Sequence, residues 1–145
     1  RPGDPASGKP ATRAYEIRKS APYVPTSVSV GELLFLWSDA GIVSCVHAPS
    51  GEIRWQERVE GDFFASPVCV DGRLFCVSTT GDVVVVEASG KFKELARNPL
   101  GELSRATPAI AEGRMYVRTT SHLFSVGGQN RSVSLNQRSP NSPRH

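Results

Sequence analysis

Three cysteines, three histidines and one glycine-rich lysine segment are the residues whose types alone suggest chemistry in this chain. Cys45 and His47, two apart in an alternating stretch, share one face of a strand and would supply half of a zinc site. No second pair with metal-ligand spacing accompanies them, so ordinary packing is the preferred reading. Cys69 and Cys76 flank Asp71-Gly72. If that dipeptide is a two-residue turn, Cys69 faces Leu74 and Cys76 faces Pro67, which sets the thiols diagonally on one face, a poor geometry for a bridge. They read as free, mostly buried cysteines. The run from Gly3 to Gly8-Lys9 has the spacing of half a phosphate-binding loop, yet Pro10 stands where the Mg²⁺-binding hydroxyl belongs and no strand precedes it. That match is accidental. His122 falls in a turn, His145 in the tail, and Asn130-Arg131-Ser132 has only the form of a glycosylation sequon.

Elements that would position any of these residues are short strands. From Phe63 to Glu87 the chain reads as three strands and two tight turns. Asp71-Gly72 separates two apolar runs, and a type I′ turn needs positive φ at both centres, which this dipeptide accepts. Gly81-Asp82 marks a second reversal before four valines whose branched Cβ suits a buried, pleated surface. The segment 92–95 reads as a fourth strand. Upstream, 33–37 and 42–46 flank a turn at Gly41, and 53–55 follows another at Gly51. Downstream, 106–117 and 123–126 form a third pass. Ala14–Arg18 alternates and reads as a further short strand.

The spacing is periodic. Gly31, Gly72 and Gly113 are 41 apart, as are Leu33, Leu74 and Met115, and Leu34, Phe75 and Tyr116. Ser66-Pro67 recurs at the same interval as Thr107-Pro108, and Thr26-Ser27 stands 40 before the first of these. Four strands per unit of about forty residues is the arithmetic of a β-propeller blade. An immunoglobulin-like sandwich has turns at similar spacing but would not repeat the same Gly, apolar pair and Ser/Thr-Pro. The expected fold is therefore all-β, with two complete four-stranded blades and one partial blade in an open or incomplete propeller spanning 14–128.

Charge separates along the chain. The net charge is +3, residues 1–20 carry +3 and residues 129–145 carry +3, so the repeat region is acidic. Both ends are polar and Pro-containing, and 1–13 and 129–145 are expected to be a disordered linker and tail. Positive charge confined there argues against a nucleic-acid partner despite a pI near 9.0. No run reaches the eighteen apolar residues of a membrane span. Beginning at Arg1 inside a Pro/Gly/Ser-rich stretch, the chain reads as a piece of a longer protein.

The run from Cys45 to Trp55 resembles the repeat of the pyrroloquinoline-quinone-type β-propellers, in which a strand ends Ala-x-Asp/Asn-x-x-Thr-Gly-x-x-x-Trp. Gly51 and Trp55 match, Ser50 stands for the Thr, Cys45 for the Ala and His47 for the Asp. The second pass, through Gly90, is one residue short and puts Glu94 at the Trp position; the third stops before the motif. The resemblance covers about 21–128 and implies that Trp55 docks between neighbouring blades. Similar propellers include quinoprotein dehydrogenases, an outer-membrane assembly lipoprotein and many exported bacterial proteins, so a periplasmic or exported location is implied by the resemblance alone.

Quinone chemistry would need a complete ring, a Ca²⁺ site, a catalytic Asp and adjacent cysteines. The chain has no adjacent cysteines and no recognisable acid cluster at one mouth, and a fold does not carry its relatives' function. No catalytic, cofactor-binding or metal residue is assigned, and no cofactor is expected. The positions singled out are those of the repeat: Gly31, Gly51, Trp55, Pro67, Gly72, Gly81, Pro108 and Gly113. The expected function is a non-enzymatic scaffold that meets a protein partner or further blades. A remnant of a quinoprotein-like enzyme is the alternative, and a sensor module a third reading. Three blades leave a large angle unfilled, which predicts apolar end surface near Phe63-Phe64 and Leu123-Phe124, covered by missing blades or a second copy. Ala14–Arg18 would supply the outer strand of the third blade.

Overall fold

The computed structural model describes residues 12–127, with Ala6, Gly8 and Pro10 before them. Among these there is no helix, and short strands form three antiparallel sheets. Blade 1 is β1 (Val28–Val30), β2 (Leu33–Trp37), β3 (Ile42–His47) and β4 (Glu52–Arg58), adjacent in chain order. Blade 2 repeats it with β5 (Val68–Val70), β6 (Arg73–Val77), β7 (Asp82–Glu87) and β8 (Glu94–Pro99). Among the described residues blade 3 has three strands, β9 (Ala109–Ala111), β10 (Arg114–Arg118) and β11 (Leu123–Gly127), with β11 outermost. The all-β reading and the count of two complete blades and one partial blade are what the described residues adopt. The expected tail after residue 128 lies outside the described residues.

Turn chemistry sets the registers. Asp71 and Gly72 both have positive φ, 47° and 69°, as a type I′ turn requires, and Glu112 and Gly113 repeat it. In blade 1 the pairing of Val30 with Leu33 leaves Gly31-Glu32 as the two-residue loop. Only Gly31 is positive there, which is the glycine-first pattern of a type II′ turn. Gly31 is thus first in its turn, whereas Gly72 and Gly113 are second in theirs. The glycines are 41 apart while the first two blades are offset by 40. Pairing shows this directly: Val28 faces Phe35 and Val68 faces Phe75. The equivalent rows are therefore Leu34, Leu74 and Met115, and Phe35, Phe75 and Tyr116, one residue away from the alignment that the glycines alone suggest.

The fourth strands need a second correction. Cys45 pairs with Trp55 and Val85 with Ala96, each beside a bulge. Ala96, not Glu94, holds the Trp position of blade 2. The loop is one residue longer than in blade 1, because the Glu87 N–H reaches Lys93 O where His47 pairs with Glu52. Phe92 accordingly lies before the strand.

Alternation along each strand turns one face forward and the other back. Blade 1 sends Phe35, Trp37, Val43 and Cys45 forward against Leu74, Cys76, Val84 and Val86 of blade 2, with Val59 and Phe63 from the connecting segment, all buried. At roughly 1.5–3 kcal/mol for each large side chain, this is the main apolar store of the fold. Trp37 stacks edge-on against Phe63 at 5.2 Å. Its indole Nε1 is buried with no hydrogen-bond partner among the described residues, a debit of about 1–3 kcal/mol. The interface between blades 2 and 3 is smaller: Ala65, Val77, Val83 and Val117 are buried, flanked by Phe75, Leu100 and Met115. Phe63 is therefore core and not end surface, whereas Leu123 is 69% exposed.

Residues 14–18 form no strand and do not pair with β11. Tyr15 instead donates its hydroxyl to Ala48 O at 2.7 Å. Its ring covers Gly51, where a Cβ would meet it within 2.6 Å. Tyr15 thus treats blade 1 as Trp55, forty residues on, treats blade 2. The expected fastening of the third blade is not made by this segment, because the Tyr15 contact holds it against blade 1.

Candidate interaction site at the blade turns

Each blade's second and third strands are joined by a turn whose first residue carries a hydroxyl. Ser38, Ser78 and Thr119 are buried, and their side-chain oxygens accept from the backbone N–H of Ile42, Asp82 and His122. This hydroxyl position, spaced 40 then 41, is a repeat feature that the sequence reading passed over; the spacing itself was the available signal. Gly41 and Gly81 complete the turns with positive φ, and a Cβ at Gly81 would run into the carbonyl of Glu102.

The connecting segments pass directly over these turns. Phe63 N–H donates to Asp39 O, Thr79 N–H to Asp62 O, Ser104 N–H to Thr79 O and Thr120 N–H to Leu103 O. The result is a continuous surface with two hollows that share Arg105. One, about 450 Å³, is bordered by Asp39, Asp62, Phe64 and Thr79; the other, about 360 Å³, by Leu103, Arg118 and Thr120. Phe64 and Leu103 are exposed, and the Arg105 guanidinium lies over the Phe64 ring at 5.3 Å. Arg118 is exposed, and its side chain makes no ion pair with any described residue. The Asp39 carboxylate is occupied, accepting from the N–H groups of Tyr23 and Val24 at 2.9 and 3.0 Å, which fixes Tyr23 at 92% exposure.

One cluster here has the residue types of acid–base chemistry. His122 Nδ1 lies 2.6 Å from Glu102 Oε1, and Glu102 Oε2 accepts from the Thr119 hydroxyl and the Ser121 N–H. The Glu102 carboxyl is held below the ordinary carboxylate value, first by the Thr119 hydroxyl; partial desolvation opposes this, and Ser121 N–H and His122 add to the lowering. Every oxygen is committed to closing the 119–122 turn, so the cluster is a clasp between blade 3 and the segment leading into it. His122 is exposed, as the sequence suggested, but paired.

The other residues singled out by type do not converge. Cys45, Cys69 and Cys76 are free. Burial raises all three thiol pKa values, most strongly at Cys76, which also lies 3.3 Å from Ala65 O. These are packing thiols with little thiolate at neutral pH. His47 is held by Ser50 Oγ at 2.7 Å and stands 3.8 Å from Glu32 at the strand end, while Cys45 is fully buried. No group of three or more metal-ligating side chains occurs among the described residues. Pro67 and Pro108 are buried where the chain enters the innermost strands. The hydroxyls beside them link blades: Thr26 N–H donates to Ser66 Oγ and Ser66 N–H to Thr107 Oγ1. Trp55 is half-buried between Phe35 and Phe92, at 6.1 and 5.2 Å, and donates to Ser89 O at 3.0 Å.

A family model described as outer membrane protein assembly factor BamB matches residues 4–129. The chain belongs to that family. Its structure is similar to the crystal structure of BamB from Moraxella catarrhalis, with a TM-score of 0.58 and 16% identity, covering 70% of this chain and 32% of that one. At this identity the likeness shows the PQQ-like propeller fold alone. The chain spans about a third of that BamB. No curated protein matches it. No helix of the described residues is long and apolar enough to cross a membrane.

Proposed function

We propose that the chain is a non-enzymatic propeller scaffold whose blade-turn surface binds a protein partner. The observation that carries this reading is the exposed set Phe64, Leu103, Arg105 and Arg118 around two shallow hollows, held on rigid turns. Arg and aromatic side chains in such settings supply most of the energy at protein interfaces, because they bury large area with few torsions to freeze. The BamB-like family supports an assembly role at a bacterial envelope, and an exported location accompanies that proposal. Clasping of Glu102, Thr119 and His122 serves the same end by fixing the 119–122 turn.

A photo-crosslinking amino acid placed at Leu103, in the full chain expressed in its host, tests this. The expected result is one dominant adduct with an envelope protein, absent when the same group is placed at exposed Ile53 and reduced by R105A. Equal labelling at Leu103 and Ile53 overturns the proposal.

A further inference from the structure

Backbone hydrogen bonds show which residues of the blade-turn surface hold the same place in successive blades. Thr79 N–H to Asp62 O is matched by Thr120 N–H to Leu103 O, and Phe63 N–H to Asp39 O by Ser104 N–H to Thr79 O. Asp39, Thr79 and Thr120 therefore share one turn position, and Asp62 and Leu103 one connector position. Phe64 and Arg105 share another, since Phe63 and Ser104 precede them, and strand pairing makes Arg118 the equivalent of Val77. Going from blade 1 toward blade 3, Asp39 and Asp62 give way to Thr and Leu, while Phe64 and Val77 give way to arginines. Turn closure does not ask for this change, because the same backbone bonds close the turns on either side of it. The hollow nearer blade 1 is bordered by Asp39 and Asp62, the one at blade 3 by Arg118, and Arg105 stands between them.

We propose that this surface takes an extended partner segment of mixed charge, with a Lys or Arg over the Asp39–Asp62 hollow, an Asp or Glu over Arg105 and Arg118, and apolar side chains between them against Phe64 and Leu103. The proposal deepens the scaffold reading and rests on it. Charge complementarity carries it. Asp62 is exposed, and its carboxylate forms no hydrogen bond or ion pair among the described residues. Arg105 engages only the Phe64 ring, and the Arg118 side chain engages nothing among them. Other charges close by are spent inside the protein. Asp39 accepts from Tyr23 and Val24, Arg97 is turned to Glu94 and the Glu60 carbonyl, and Glu102 is turned to Thr119, Ser121 and His122. Each guanidinium can grip a carboxylate through two bonds. Opposite charges at the two ends also set the direction in which a segment lies, because the reversed placement brings like charges together. Exposed Phe64 and Leu103 supply the apolar middle.

The test is titration of the full chain, followed by calorimetry and NMR, with acetyl-Lys-Lys-Leu-Trp-Leu-Glu-Glu-amide and with its all-Lys and all-Glu counterparts, which keep the apolar centre. The mixed peptide is expected to bind saturably and at least about tenfold tighter than either counterpart, with shifts at Phe64 and Leu103. D62K should turn the preference toward the all-Glu peptide and R105E toward the all-Lys peptide, whereas E57K, on exposed β4, should leave the ranking unchanged. Asp62 and Arg105 are exposed, so neither change reaches the core. Equal binding of the three peptides, a ranking unmoved by D62K and R105E, or no saturable binding of the mixed peptide overturns the proposal. So does self-association that excludes the peptide, which makes a second copy the occupant. Failure here with a specific Leu103 adduct intact removes the mixed-charge segment and leaves the scaffold reading standing.

Discussion

Trp55 owes its place to three neighbours, and each makes a measurable difference. Phe35 and Phe92 flank the ring and Ser89 O takes its N–H. Trp55→Ala is expected to lower unfolding free energy by about 3 kcal/mol in urea, the low end for a large aromatic because the residue is only half-buried. Trp55→Phe keeps the packing and should lose about 1 kcal/mol, the usual net value of one hydrogen bond. Two glycines separate backbone conformation from contact. Gly72 and Gly81 both have positive φ, but a Cβ at Gly72 meets open space and one at Gly81 meets the Glu102 carbonyl. Gly72→Ala should cost about 1–2 kcal/mol, and Gly81→Ala clearly more, with the excess appearing as altered shifts at residues 102–104. Glu102 contributes a pH dependence of known sign. Its folded-state pKa is lowered, so its stabilisation is fully present above the unfolded carboxylate value and is lost as pH falls through the folded one. Hydrogen exchange at Ser121 and His122 should accelerate on acidification below the ordinary Glu range, and E102Q should remove that dependence.

At the level of strands and turns, much was readable in advance and the rest failed for identifiable reasons. Asp71-Gly72 and the four valines after Asp82 specify a turn and a strand locally, and both stand where the residues put them. The fourth strands were misplaced because a bulge beside Cys45 and another beside Val85 shift pairing without leaving a composition mark. Gly31 misled the alignment because a II′ turn wants glycine first and a I′ turn accepts it second, so equal glycine spacing hid unequal strand spacing. The interaction surface was largely invisible. Phe64, Leu103 and Arg105 lie in connecting segments with no periodic signature, and they are gathered over the turns by backbone hydrogen bonds such as Ser104 N–H to Thr79 O, between residues far apart in the chain. Strand position also ranks local stability. β11 has no outer neighbour among the described residues and Leu123 and Val126 are exposed on it, whereas β3 and β7 lie between two strands. Backbone amides of β11 should exchange on the order of a hundredfold faster than those of β3 or β7.

Over the whole molecule the forward faces of the blades change character. Blades 1 and 2 present Phe35, Trp37, Val43 and Cys45, then Phe75, Val77, Val83 and Val85; the matching positions of blade 3 are Tyr116, Arg118, Leu123 and Ser125. No described residue covers this face of blade 3, and Arg118 and Ser125 suit it to water. Replacing Arg118 and Ser125 by Val should therefore make the chain self-associate in light scattering, whereas the same change at exposed Glu57 should not. The links between Thr26, Ser66 and Thr107 carry a different consequence. Thr26 and Ser66 each donate the backbone N–H to the hydroxyl one blade ahead, and both bonds run the same way. Thr26 keeps a hydroxyl that receives from no described residue, and Thr107 an N–H that gives to none. The innermost seam therefore has a polarity, like a zip with a hook at one end and an eye at the other. A unit that continued this relay behind Thr26 would give an N–H to its hydroxyl, and one ahead of Thr107 would offer an oxygen to its N–H.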